Sequence, residues 1–174
     1  RLDPLLPPGL AFGLLLAFVA LATLLALLQN AASLAILATA GGFLAPVLTS
    51  TGEGSHVALF SYYLLLNAGV LTIAWFKAWR PLNLVGFAFT FVIAGIWGYR
   101  YYQPEFFATT EPFLVAFFLM YLAISLLFAL RQPPNLRGLI DATLVFGVPL
   151  VGAALQAALV KALPFGLAYI ALAL

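Results

Sequence analysis

Long apolar stretches alternate with short polar breaks along this chain. The stretches fall at about residues 10–28, 31–48, 57–76, 82–102, 112–130 and 139–161, and another begins near 163 and runs to 174. The breaks collect the turn-forming residues: Gln29-Asn30, "TSTGEGSH" at 49–56, "KAWRPLN" at 77–83, "QPEFFATTEP" at 103–112 and "RQPPNLRG" at 131–138. A hydrocarbon core about 30 Å thick is crossed by about 20 helical residues. Lipid offers backbone groups no hydrogen bonds, so helices are the expected solution, and the alternating ten-residue segments of a barrel are absent. The pattern predicts an all-α polytopic transmembrane helix bundle, one region over 1–174, with six complete spans and the start of a seventh. Short connections make successive helices antiparallel neighbours.

Small residues refine that pattern. Ala31, Ala35, Ala38, Gly42 and Ala45 recur at steps of four and three, which places them on one helix face where a second backbone can approach. Gly86, Thr90, Ala94 and Gly98 form a similar ridge, and Gly13, Ala17 and Ala20 a shorter one. Bulky positions such as Phe113, Phe117 and Phe118 are expected to face lipid or further helices.

Composition settles the solvent. Of 174 residues 66% are hydrophobic and 7% charged, and mean hydropathy is +1.16. A soluble domain carries about a quarter charged residues, so twelve charged side chains cannot solvate a water-facing globule of this size. A bilayer is the expected partner, and a net charge of +2 gives no case for nucleic acid. With no cysteine and one histidine, the chain lacks the means for disulfides, thiolate zinc sites or multi-histidine metal centres, and no cofactor is expected. The chain begins at Arg1 and stops inside "FGLAYIALAL", which predicts a piece of a larger membrane protein packed against its remaining helices or other membrane subunits.

Basic residues orient the bundle. Lys77, Arg80, Arg131 and Arg137 lie in loops on one side, whereas Arg1, Arg100 and Lys161 on the other are mixed with Asp3, Glu53, Glu105 and Glu111. The positive-inside bias puts the 77–80 and 131–137 loops in the cytoplasm and the 49–56 and 103–112 loops outside.

Candidate chemistry is sparse. Asp141 lies at the start of the sixth stretch. At 100° per residue Asp141 and Gly152 point within about 20° of each other, with Gln156 about 40° further round, so a polar stripe runs along one helix that Pro149 interrupts. An ionisable residue at membrane depth suggests proton coupling or substrate binding. The plainer account has Asp141 shallow, stabilising the helix N-terminus and paired with Arg137. Asn67, mid-span, could line a pathway, though interhelical hydrogen bonding is the commoner role. Asp141, Gln156, Pro149 and Asn67 are the transport-path candidates. Outer-loop candidates are His56 with Glu53, a proton shuttle or half a metal site against a polar turn capped near Ser55, and Arg100 with Glu111. The last pair could rim a vestibule. The alternative is a snorkelling Arg100, a capping Thr109 or Thr110, and a Glu111 placed to favour a helix N-terminus. No catalytic residue or metal ligand set is identified.

The phrases "LATAGGFLAPVLTSTGEGSHVALFSYYLLLNAG", "WRPLNLVGFAFTF", "YYQPEFFATTEPFLVAFFLMYLAISLLFALR" and "DATLVFGVPLVGAALQAALV", in that order, resemble the bacterial predicted membrane proteins of domain-of-unknown-function family 2339, from about residue 31 to the end. The resemblance implies a multi-pass protein of the bacterial inner membrane, part of a longer chain. It carries no activity and no site residue. Three functions stand: a transporter or exporter component using Asp141, Gln156, Pro149 and Asn67; a structural or assembly subunit of an envelope complex; and a membrane enzyme acting on lipid-linked substrates, ranked last for want of acids and bases.

Overall fold

The computed structural model describes residues 8–49, 55–77, 79–131 and 139–161. Six helices occupy the six apolar stretches: α1 (Pro8–Leu28), α2 (Ala32–Thr49), α3 (His56–Phe76), α4 (Arg80–Tyr101), α5 (Phe107–Arg131) and α6 (Leu139–Lys161). The expected start of a seventh, 163–174, lies outside the described residues. Four segments, His56–Phe76, Arg80–Tyr101, Pro104–Phe128 and Ala142–Lys161, are long and apolar enough to cross a membrane, and Ala32–Leu48 is a shorter apolar helix. Asn30 turns the chain between α1 and α2 with φ at 53°, a left-handed conformation that asparagine tolerates.

α5 starts earlier than the apolar pattern suggests. A 3-10 turn at Pro104–Phe106 runs directly into it, so Thr109 and Thr110 lie in its opening turn and do not cap it. Pro104 suits the first position of that turn because its missing N–H has no helical partner there. Ser55 does take the N-cap position of α3, although its side chain makes no capping hydrogen bond.

α3 packs on α5, and α5 on α6; α4 lies against α2, α6 and α3, while α1 leans chiefly on α2. The core sits where α3 to α6 converge, around Phe60, Leu66, Val70, Phe117, Tyr121 and Val148. Outside it the surface remains apolar, with Phe18, Leu37, Phe76, Leu130 and Leu150 all exposed, as a lipid-facing surface permits.

The small-residue ridges divide. Ala35 and Gly42 of α2, and Gly86 and Thr90 of α4, are buried at helix contacts, whereas Gly13, Ala17 and Ala20 of α1 are exposed. The phenylalanines of α5 correct the expectation made for them. Phe117 is 1% exposed in the centre of the core, and Phe113 and Phe118 pack against it. Aromatic rings fill the gaps that neighbouring small residues leave, so Gly152 of α6 meets the Phe118 ring, which would lie 2.8 Å from any added Cβ.

Pro46 sits inside α2. Proline has no N–H, so the Gly42 carbonyl four residues earlier loses its helical donor, and lipid cannot supply another. The Tyr62 hydroxyl of α3 donates to that carbonyl at 2.9 Å, and the adjacent Tyr63 donates to the Phe43 carbonyl at 3.0 Å. Phe43 is fully buried and stacks on Tyr63 with ring centres 5.3 Å apart. Two consecutive tyrosines thus bind α3 to the interrupted stretch of α2. Tyr62→Phe is expected to destabilise the bundle by about 0.5–1.5 kcal/mol in reversible unfolding from detergent micelles. Pro46→Ala restores the missing donor, so it should shrink that loss in a double-mutant cycle. Strictly additive effects would show that Tyr62 does not serve the proline break.

Candidate functional site

Asn67 lies at the centre of the bundle, 1% exposed, and its amide is fully committed. Its Nδ2 donates to the Tyr63 carbonyl and to Thr90 Oγ1, each at 2.9 Å. Its Oδ1 accepts from the Thr90 hydroxyl at 3.0 Å and from the Tyr121 hydroxyl at 2.5 Å. An amide has two donor hydrogens and two acceptor lone pairs, so every capacity is used. One side chain from each of α3, α4 and α5 meets here. Gly86 makes the meeting possible, because a Cβ at that position would lie 2.6 Å from the Tyr121 hydroxyl and 3.4 Å from the methyls of Val70.

Beyond this junction, toward the Tyr101 end of α4, the helices part around a chamber of about 220 Å³. Phe60, Trp97, Tyr102, Phe113 and Phe117 supply aromatic walls, and Ala94, Gly95 and Gly98 of α4 supply the recess. No described residue lies within 4 Å of a Cβ built on Gly98, so among the described residues this part of the α4 ridge faces open space. The Tyr102 hydroxyl is committed to the Leu159 carbonyl at 3.2 Å. Thr110 also lines the chamber. It is 7% exposed, and its hydroxyl has no hydrogen-bond partner.

On the other side of the junction, Asn83 in the first turn of α4 is 1% exposed, and neither of its amide atoms has a partner. Asn83, Thr90 and Trp97 are spaced by seven residues, which puts them within about 40° on one face of α4 and about 10 Å apart along its axis. On this face of α4 Asn83 and Thr90 are buried and Trp97 is half-buried; Thr90 is paired and Asn83 is not, while the other unpartnered hydroxyl, that of Thr110, belongs to α5.

The outer-loop candidates gather at the chamber end. The Thr109 hydroxyl spends its only proton on the Phe106 carbonyl at 3.0 Å, so it accepts from His56 Nε2 at 2.8 Å. The imidazole also packs against Trp97 and Phe106, with ring centres 5.3 and 4.6 Å away. His56 is thus a clasp joining α3, α4 and the 3-10 turn. Glu53 lies outside the described residues. Arg100 is exposed in the last turn of α4. Glu111 accepts from Gln156 Nε2 at 3.0 Å, joining an outer-loop candidate to a transport-path candidate across the α5–α6 seam. Pro149, Gly152 and Gln156 line a groove of about 300 Å³ beside Phe118, so this part of the α6 stripe faces α5. Asp141 falls in the opening turn of α6, and its side chain is outside the described ones.

Tyr121 and Asn83 carry no signal in the sequence, Thr90 is marked there only as part of a small-residue ridge and Thr110 only as a candidate cap; which of their polar atoms are paired is visible only in the fold. Gly86→Ala is expected to destabilise the bundle by about 1–3 kcal/mol, the usual range for overpacking. Adding Tyr121→Phe should recover most of that loss by removing the oxygen that clashes. No recovery, measured by unfolding of purified protein, would place the strain elsewhere.

No curated protein and no solved structure matches the chain. A family model described as "Predicted membrane protein (DUF2339)" does match, and it covers residues 1–174, the first span included. With an all-helical bundle and several helices able to cross a bilayer, the chain belongs to that family of predicted membrane proteins.

Proposed function

We propose that this chain forms the substrate-holding part of a transporter or exporter in the bacterial inner membrane. One observation carries the reading: two buried polar groups without partners, Thr110 and Asn83, lie on opposite sides of a closed hydrogen-bonded junction. A buried polar group left unpaired costs about 1–3 kcal/mol, and in lipid no water relieves it. A fold that keeps one on each side of a gate is suited to a path that opens toward each in turn. The chamber is then the outward-facing vestibule, and the Lys77–Arg80 end faces the cytoplasm. Asn67, with Thr90 and Tyr121, is the gate. Gln156 and Glu111 tie α6 to α5 beside the vestibule, Pro149 gives α6 a place to bend, and Asp141 stands at the cytoplasmic start of that helix.

An assembly role is the second reading, and the exposed ridge Gly13, Ala17 and Ala20 on α1 favours it, since such a ridge admits a close-packed helix. A membrane enzyme draws least support, because His56 is held between two rings and Glu111 is bonded to Gln156.

The absence of native cysteine makes the gate testable by thiol labelling. Ala94→Cys should react with a membrane-impermeant maleimide from the 103–112 side, and Asn83→Cys slowly from the Lys77 side. Tyr121→Phe removes one membrane hydrogen bond, worth about 0.6 kcal/mol, so it should raise the Asn83→Cys rate about 3-fold and lower that of Ala94→Cys. An Asn83→Cys that stays inert from both sides, with and without Tyr121→Phe, would remove the case for a gated path.

A further inference from the structure

We propose that the chamber holds a single hydrocarbon chain bearing an uncharged carbonyl, an ester-linked acyl chain, with that carbonyl accepting a hydrogen bond from Thr110. The inference deepens the transport reading by naming the substrate class of the same site.

The lining selects the class. Its walls are aromatic and aliphatic, and no charged side chain is among the described lining residues, so a charged group inside would be buried there without a counter-ion. A volume of about 220 Å³ is below the ~300–1,000 Å³ of pockets for drug-sized ligands, which suits one chain segment better than a branched or ringed body.

Thr110 supplies the polar specificity. Hydroxyls in membrane helices ordinarily bond back to the carbonyl one turn earlier, as Thr72 does to Ala68 at 2.7 Å and Ser125 to Tyr121 at 2.9 Å. The carbonyl one turn before Thr110 is that of Phe106, which already accepts from Thr109. Thr110 is left with a donor that has no partner in the protein, on a residue that lines the apolar chamber. Tyr102 gives its proton to Leu159, so Thr110 is the buried hydroxyl of the lining whose proton is not already given to the protein. An ester carbonyl satisfies the donor while its chain fills the recess at Gly95 and Gly98. The depth also agrees: Thr110 sits in the first turn of α5, level with Trp97 and Tyr102, and such rings mark the interfacial zone that holds the polar ends of acyl chains.

The test uses the intact chain in nanodiscs with Trp75→Phe and Trp79→Phe, which leaves Trp97, in the chamber wall, as the only tryptophan. A chain-brominated monoacylglycerol should quench Trp97 saturably, and its unbrominated form should compete. The matching glycerol alkyl ether, which lacks the carbonyl, should bind about 2- to 10-fold more weakly, the value of one neutral hydrogen bond. Thr110→Val should abolish that difference, and Gly98→Leu, which fills the recess, should abolish saturable quenching. Saturable quenching by a chain-brominated diacyl phospholipid that monoacylglycerol does not displace, with the same two variant effects, would support the proposal with bilayer lipid as the source. Quenching that never saturates, or that Gly98→Leu leaves intact, would overturn it. So would equal binding of ester and ether, which leaves Thr110 with water alone. Binding is read without flux, so a negative result here leaves the labelling of Asn83→Cys to decide the gate by itself.

Discussion

Lipid makes no hydrogen bonds, and most of this bundle follows from that. A polar atom at membrane depth gains most by finding a partner within the protein, so the few that do find one decide which helices touch. Asn67 is the clearest case. Its four hydrogen-bonding capacities are met by Tyr63, Thr90 and Tyr121, and meeting them fixes α3, α4 and α5 at one level. Pro46 is the converse. It creates an unmet carbonyl, and Tyr62 is placed to meet it. In water either vacancy would fill with solvent and constrain nothing.

This is also why the helices were legible in the sequence and their contacts were not. Apolar stretches of membrane length are long and strongly marked, and six of them became the six helices, with an error of about two turns where Pro104 starts a helical segment inside an apparently polar loop. The small-residue ridges were legible in part. Ala35, Gly42, Gly86 and Thr90 are buried contacts, but the same pattern on α1 is exposed, since spacing says that a face can be approached and not what approaches it. The candidate sites were harder still. Gln156 and Glu111 were noticed as unusual residues on separate elements, yet they are partners 45 positions apart. His56 looked like a loop residue and is a clasp between two rings. A polar residue's role depends on whether another sits opposite it, and no local pattern records that.

The ridge of α4 shows how one residue type serves opposite ends within a single helix. At Gly86 the missing side chain lets the Tyr121 hydroxyl come close enough to reach Asn67, and the bundle closes. Three turns later, at Gly98, the missing side chain meets no described residue, and the bundle opens into the chamber. The difference lies across the gap. Opposite Gly86 stands a tyrosine whose oxygen has a partner to reach. Opposite Gly98 the rings of Phe113 and Phe117 turn toward the core around Phe60 and leave space between them. Tight packing and a cavity thus follow from the same local sequence, and what separates them is whether the facing helix carries a polar atom that has to be satisfied. Thr110 is the described lining residue whose buried side-chain oxygen has no partner, so the unmet hydrogen bond and the unfilled volume fall in the same place.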